Sequence, residues 1–261
     1  MKYVLLLLSC LLLNESSKSN TIHFEKSPYG LLFTDVEING QKVKAMIDFG
    51  DPNYLQLSSS LVSRQEIQVE KTKAVAMDVF GNSFDINKGI AKTVKIGNNT
   101  ESNVEFSSSP NEMESVASQI NTEFHAVIGW GYFKKYFTEI NYANNTFTLT
   151  KEEPIGEKYL FHTPFDKNSN YLNIPVHFDQ SKANLILDTG SPVSVIDSSY
   201  YQEKKLQSTD VSLGVKVVDL DFYIQNLSVL KSLNANGILG GDFLGKYTIL
   251  IDPFEKTLYF K

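Results

Sequence analysis

One stretch of this chain occurs twice. Ala45-Met46-Ile47-Asp48-Phe49-Gly50-Asp51-Pro52 returns 140 positions later as Leu185-Ile186-Leu187-Asp188-Thr189-Gly190-Ser191-Pro192. The Asp, the Gly and the Pro coincide, and without a gap so do Leu32/Leu172 and Val36/Val176 upstream and Ser58/Ser198 and Ser59/Ser199 downstream. A second pair closes each half: Val127-Ile128-Gly129-Trp130-Gly131-Tyr132-Phe133 lines up with Ile238-Leu239-Gly240-Gly241-Asp242-Phe243-Leu244 at an offset of 111. Two ordered motifs, each written twice, predict two copies of one structural unit packed around a shared axis, with the second copy shorter between its motifs.

The units read as β-structure. Tyr29 to Ile38 and Tyr171 to Phe178 are rich in strand formers, Asn39-Gly40 is a strong hairpin turn, and Lys42 to Ile47 runs directly into Asp48. Val75 to Val79, then Phe80-Gly81-Asn82-Ser83, then Phe84 to Ile86 predict a projecting hairpin in the longer first copy. Thr138 to Leu149 and Thr248 to Phe260 continue the closing motifs as strand pairs. Helical patterning is confined to Ser58–Glu66, Asn111–Ile120 and Ser198–Leu206. Lys151-Glu152-Glu153-Pro154 is polar, ends in proline and falls between the copies, which places the lobes at 21–153 and 154–261. An apolar fraction of 42% with 12% aromatics suffices for buried cores in both.

Each repeated Asp follows apolar residues and precedes a glycine, so it sits where a buried strand turns sharply. Two such turns related by the duplication bring two carboxyls to one junction. Like charges that close cannot both ionise cheaply, so the pair shares a proton; one carboxylate can then take a proton from water while the other donates one to a carbonyl oxygen. Leu185-Ile186-Leu187-Asp188-Thr189-Gly190-Ser191 with Ile238-Leu239-Gly240 resembles the active-site signature of the aspartic proteases, in the retroviral-type branch duplicated and fused into one chain, with the pepsin-like single chain as the other branch. Paired aspartates of that family are a standard illustration of this pKa logic.

The resemblance covers about Tyr29 to Lys261 and implies an all-β, two-lobed β-barrel fold with pseudo-two-fold symmetry and a central cleft. It implies Asp48 and Asp188 as the catalytic pair, with Gly50, Thr189, Gly190, Ser191, Gly129 and Gly240 supporting them and Phe80-Gly81 at the tip of a flap. The activity implied is that of an aspartic-type endopeptidase acting on a polypeptide substrate as a monomer, with no cofactor or metal. Two residues depart from the pattern. Family members carry Thr or Ser after each Asp, whose hydroxyl bonds across the loops; Thr189 can do this and Phe49 cannot. Asp51 stands where Ser191 stands in the other copy and adds a third acid. These departures keep a second reading open, a catalytically inactive peptide-binding module of the same fold.

Other features exclude more than they suggest. A net charge of −6 without a Lys/Arg-rich run argues against nucleic acid as partner. Asp48-Phe49-Gly50 spells the magnesium triplet of kinases, but no glycine-rich loop accompanies it. His23, His125, His162 and His177 lack ligand spacing. Asn-x-Ser/Thr triplets such as those at Asn98, Asn144 and Asn226 are common accidents in Asn-rich chains. Met1-Lys2 and the apolar run from Tyr3 to Leu13 read as an export signal spanning 1–20, so the chain is expected to be exported. Cys10, the single cysteine, lies within it and has two readings, a lipid-anchor cysteine or an ordinary residue of the signal's apolar core.

Overall fold

The computed structural model describes residues 19–77, 83–154, 156–178, 181–200, 207–214 and 216–261. In the first half, β1 (Asn20–His23) and β2 (Glu25–Lys26) precede β3 (Leu32–Ile38) and β4 (Gln41–Asp48). Then come β5 (Leu55–Leu57), α1 (Ser59–Arg64), β6 (Val69–Met77), β7 (Ser83–Ile96) and β8 (Asn99–Ser108). α2 (Glu112–Gln119), β9 (Ala126–Gly129), α3 (Trp130–Phe133), β10 (Phe137–Asn141) and β11 (Thr146–Thr150) complete it. The second half runs β12 (Phe161–Pro164), β13 (Asn173–Phe178), β14 (Ser181–Leu187), β15 (Val195–Asp197), β16 (Gln207–Leu213) and β17 (Lys216–Gln225). It ends with a 3-10 helix (Ser228–Leu233), β18 (Gly237–Leu239), α4 (Gly241–Leu244), β19 (Thr248–Asp252) and β20 (Thr257–Phe260).

Strand order is the same in both lobes. β13-β14-β18-β15-β17-β16 form a closed barrel. In the first lobe β3-β4-β9-β5-β8-β7 follow the same sequence of neighbours, and pairing of Val36 with Ile96 joins β3 back to β7. The strand entering each Asp lies parallel to the strand of the closing motif, β4 on β9 and β14 on β18. Ala45, Met46 and Ile47 are all buried, as expected of a strand covered on both faces. The β3–β4 turn has positive φ at Asn39 (51°) and Gly40 (80°), the mirror-image geometry that Asn-Gly supplies at low cost.

A third sheet joins the lobes. Its order, β1-β11-β10-β19-β20-β12, takes three strands from each half and meets at the β10–β19 seam, where Ile140 opposes Ile249. Alternation of buried and outward residues in Thr146-Phe147-Thr148-Leu149-Thr150 presses Phe147 and Leu149 onto the barrels. One apolar cluster therefore runs from Leu32 and Ile47 through Phe133, Phe147 and Ile249 to Phe243 and Phe260.

Several local expectations shift. β7 is longer than the predicted hairpin arm, reaching from Ser83 to Ile96 because the same strand also forms the barrel wall with β8. α1 and α2 lie within the predicted helical stretches, but Ser198–Tyr200 is a turn and 201–206 fall outside the described residues. α3 and α4 were not legible, being one turn each and built on Gly and aromatic residues. Asn20, the last residue of the expected export signal, opens β1; its amide donates to Ile96 O at 3.0 Å and accepts from Asn98 N at 2.7 Å.

The seam should carry a large share of stability. Ile140→Ala, at a fully buried position in contact with both halves, is expected to cost about 2–5 kcal/mol in chemical denaturation.

Candidate active site

Both Asp-containing loops are pinned from behind. Asp48 stands in register with Gly129, and Asp188 N donates to Leu239 O at 3.1 Å, so each loop leaves its barrel beside the closing motif of its own half. The first N–H groups of α3 and α4 then hold the loop carbonyls. Trp130 N reaches Asp51 O at 2.7 Å and Gly131 N reaches Asn53 O at 3.1 Å. In the other lobe Gly241 N reaches Ser191 O at 2.9 Å and Asp242 N reaches Pro192 O at 3.0 Å. A side chain on Gly129 would meet Asn53 O at 2.2 Å, and one on Gly240 would meet Val193 O at 2.3 Å. Those two glycines are therefore where the closing motif and the loop approach most closely.

In front, the loops meet each other. Gly50 N donates to Asp48 Oδ1 at 2.8 Å and Gly190 N to Asp188 Oδ1 at 2.7 Å, so each carboxyl is turned by its own glycine. Each then rests on the opposite glycine. A Cβ on Gly50 would lie 2.6 Å from Asp188 Cγ, and one on Gly190 would lie 2.6 Å from Asp48 Cγ. No other residue type leaves this space, and the two carboxyls come within hydrogen-bond reach of one another. Thr189 ties the loops from below: its Oγ1 accepts from Phe49 N at 3.0 Å and donates to Ile47 O at 2.8 Å.

Residues 34–129 match a family model described as aspartyl protease. Over that stretch the chain is similar to the aspartyl proteases. The matched segment runs from β3 to Gly129 and includes Asp48, whereas Asp188 lies beyond it. No curated protein matches the chain. The two-lobed, all-β architecture with its shared sheet is that of an aspartic-protease-like fold.

Within this site the electrostatics follow from depth. Asp48 and Asp188 keep some accessible surface, yet both lie deep among protein atoms, and depth governs the cost of charging them. Burial holds the Asp48 carboxyl well above the usual carboxylate range, and the charges of Asp188 and Asp51 push it further. Burial also raises Asp188, against the pull of its hydrogen bonds from Asp48 and the loop N–H groups. Both shifts run toward the protonated form, the direction expected of two carboxyls crowded together away from water.

The departures from symmetry have places of their own. Phe49 is fully buried, with its ring centroid 4.7 Å from Phe133, 5.7 Å from Trp130 and 6.0 Å from Phe147. It gives the first lobe an aromatic plug and returns no hydroxyl bond to the second loop. Ser191 Oγ donates to Val193 O at 2.8 Å. The corresponding Asp51 is buried and accepts three N–H bonds, from Asn53 N, Asn53 Nδ2 and Gln56 Nε2. Phe80 and Gly81 lie outside the described residues, between β6 and β7. Sequence reasoning passed over Asn53 and Gln56, whose role becomes visible only once the loop curls back on Asp51. It also passed over Tyr142, a buried residue following β10 whose hydroxyl lacks a hydrogen-bond partner among the described residues and whose ionisation is opposed by burial first and then by the Asp188 charge.

Two concavities outside the site are already spoken for. A groove of about 990 Å³ on the first lobe is lined by Gln65, Gln68 and Ile90, but Gln65 spends its amide on Asn39, Ile38 O and Gln41. Near Ser60 and Glu114, a Ser58–His125–Glu123 chain looks like a nucleophile relay. Ser58 Oγ, however, accepts from Leu61 N as the cap of α1 and is buried. Among the described residues no cluster of His, Cys, Asp and Glu is arranged to hold a metal ion.

Raised carboxyl pKa values have a thermodynamic sign. A carboxyl whose folded pKa lies above its unfolded one stabilises the fold below the unfolded value, and that contribution is lost as pH rises through the folded pKa. Asp48→Asn should therefore raise Tm at pH 7, with the gain over the parent shrinking as pH falls toward 4; equal melting shifts at both pH values would contradict the buried-dyad electrostatics. Thr189→Val strands two buried backbone groups and is expected to cost about 1–3 kcal/mol for each, measured by denaturant unfolding.

Proposed function

We propose that the chain is an aspartic-type endopeptidase that cleaves peptide bonds with a water activated between Asp48 and Asp188. The observation that supports this most is the reciprocal seating of the two carboxyls on each other's loop glycine, which leaves one site for one shared proton. The ionised member takes a proton from water as its oxygen attacks the peptide carbonyl carbon, and the protonated member gives its proton to the carbonyl oxygen. Collapse of the resulting diol returns a proton to the amide nitrogen and breaks the C–N bond. No bond to the protein forms.

The substrate would be a polypeptide held extended between the lobes. The apolar N-terminal run would direct the protein for export, with lipidation at Cys10 as a further step of that route, and the single chain would work as a monomer. A second reading is favoured by Phe49: with one of the two cross-loop hydroxyls replaced by an aromatic plug, the fold could hold a peptide by strand addition without cutting it.

Incubating the purified chain with a mixed peptide library from acid to neutral pH, beside Asp188→Asn, separates these readings. The protease reading expects internal cleavage by the parent and a loss of at least about 10³-fold in the variant, the scale seen when one member of a concerted catalytic pair is removed. Peptides retained by both proteins and cut by neither would establish the binding module instead.

A further inference from the structure

The dyad's surroundings are charged on one side only. Asp51 sits three residues after Asp48, and its carboxyl occupies the space in front of Gly129, where a Cβ would be 3.1 Å from its Cγ. Its Oδ1 accepts from Asn53 N at 2.9 Å and Asn53 Nδ2 at 2.7 Å, and its Oδ2 accepts from Gln56 Nε2 at 2.8 Å. Both oxygens are thus occupied as acceptors, the arrangement that favours the ionised form. Burial works against that charge and lifts the carboxyl above its ordinary range, while the three donors pull it back. In the second lobe the same position is Ser191, whose neutral hydroxyl is spent on Val193 O. The titratable groups around Asp51 are Asp48 on its own loop, with Asp188 paired to it, and Tyr171 ahead of β13; no cation among the described residues bonds to its carboxylate.

We propose that Asp51 is a fixed negative charge that keeps the dyad's shared proton on Asp48 and leaves Asp188 as the carboxylate that draws the proton from water. Repulsion from Asp51 makes ionisation of Asp48 the more costly of the two. Asp188 has no acid at the equivalent place in its own lobe and receives the Gly190 N–H at 2.7 Å. A duplicated site that would otherwise be symmetric is given a direction by one substituted side chain. The dyad also holds its proton to higher pH than a neutral neighbour would allow, which extends the working range upward. Asp51 touches neither substrate nor water in this scheme and is a positioning residue. Its catalytic consequence rests on the protease reading; the charge coupling itself does not.

Asp51→Asn removes the charge and preserves the shape, and Gln56 can turn its amide to meet the new NH₂ group. Asp51→Ser, which copies the second lobe, serves as the companion variant should the first fail to fold. Carbon-13 NMR of aspartate carboxyls in the full chain, with dyad signals assigned by their loss in Asp48→Asn and Asp188→Asn, follows loss of the shared proton directly. In a folded Asp51 variant that step is expected to fall by about one pH unit, and the alkaline limb of peptide cleavage to fall with it. An unmoved dyad titration in a folded variant would overturn the proposal whatever happens to the rate. A parent that cleaves no peptide at any pH would instead count against the protease reading, while the NMR shift would still decide whether Asp51 acts on the dyad.

Discussion

Two carboxyl groups pressed together away from bulk water repel whenever both are ionised, and the chain must supply the force that keeps them there. It does so from three directions. Behind each loop, the N–H groups of a one-turn helix hold the loop carbonyls. Between the loops, Thr189 crosses from one backbone to the other. Beneath both, the shared sheet locks the barrels together through β10 and β19. None of these contacts touches a carboxylate oxygen, so the restraint leaves both groups free for chemistry.

Matched strand order gives the two halves equivalent loops, and the departures show where those loops differ. The second loop keeps its hydroxyl and supplies both cross-loop bonds. At the matching position the first loop spends its side chain on packing, where Phe49 joins Phe133, Phe147 and Trp130. An aromatic cluster of this kind resists deformation because its rings interlock, so the first lobe offers a stiff wall against which the second loop is fastened. The acid at Asp51 adds a difference in charge to this difference in packing.

Much of this was legible in the sequence because the relevant signals are local. An Asp-x-Gly after three apolar residues marks a strand end, and the closing Val-Ile-Gly and Ile-Leu-Gly motifs mark the parallel neighbours of those strands. The hydroxyl at Thr189 and its lack at Phe49 were visible too. What escaped depends on distant parts of the chain. Nothing in Asn20 announces that it will bridge to Ile96 and Asn98, and α3 and α4 are too short to show a helical period. The shared sheet was hidden for a related reason: a run such as Thr146–Thr150 reveals that it has an inner face but not which strands will flank it. Asp51 was read as an added acid near the pair, yet the amides of Asn53 and Gln56 that hold its charge appear only once the loop has folded.

The seam has a consequence for biosynthesis. β10 finds its partner in residues 248–252, in the other half of the fold, so the central sheet can close only after both halves have been made. Until then β10 is an open edge, able to pair with another nascent chain, and so large a separation in sequence delays closure. The sheet that fastens the two barrels, and with them the two aspartate loops, is therefore the part of the fold that depends on both halves at once.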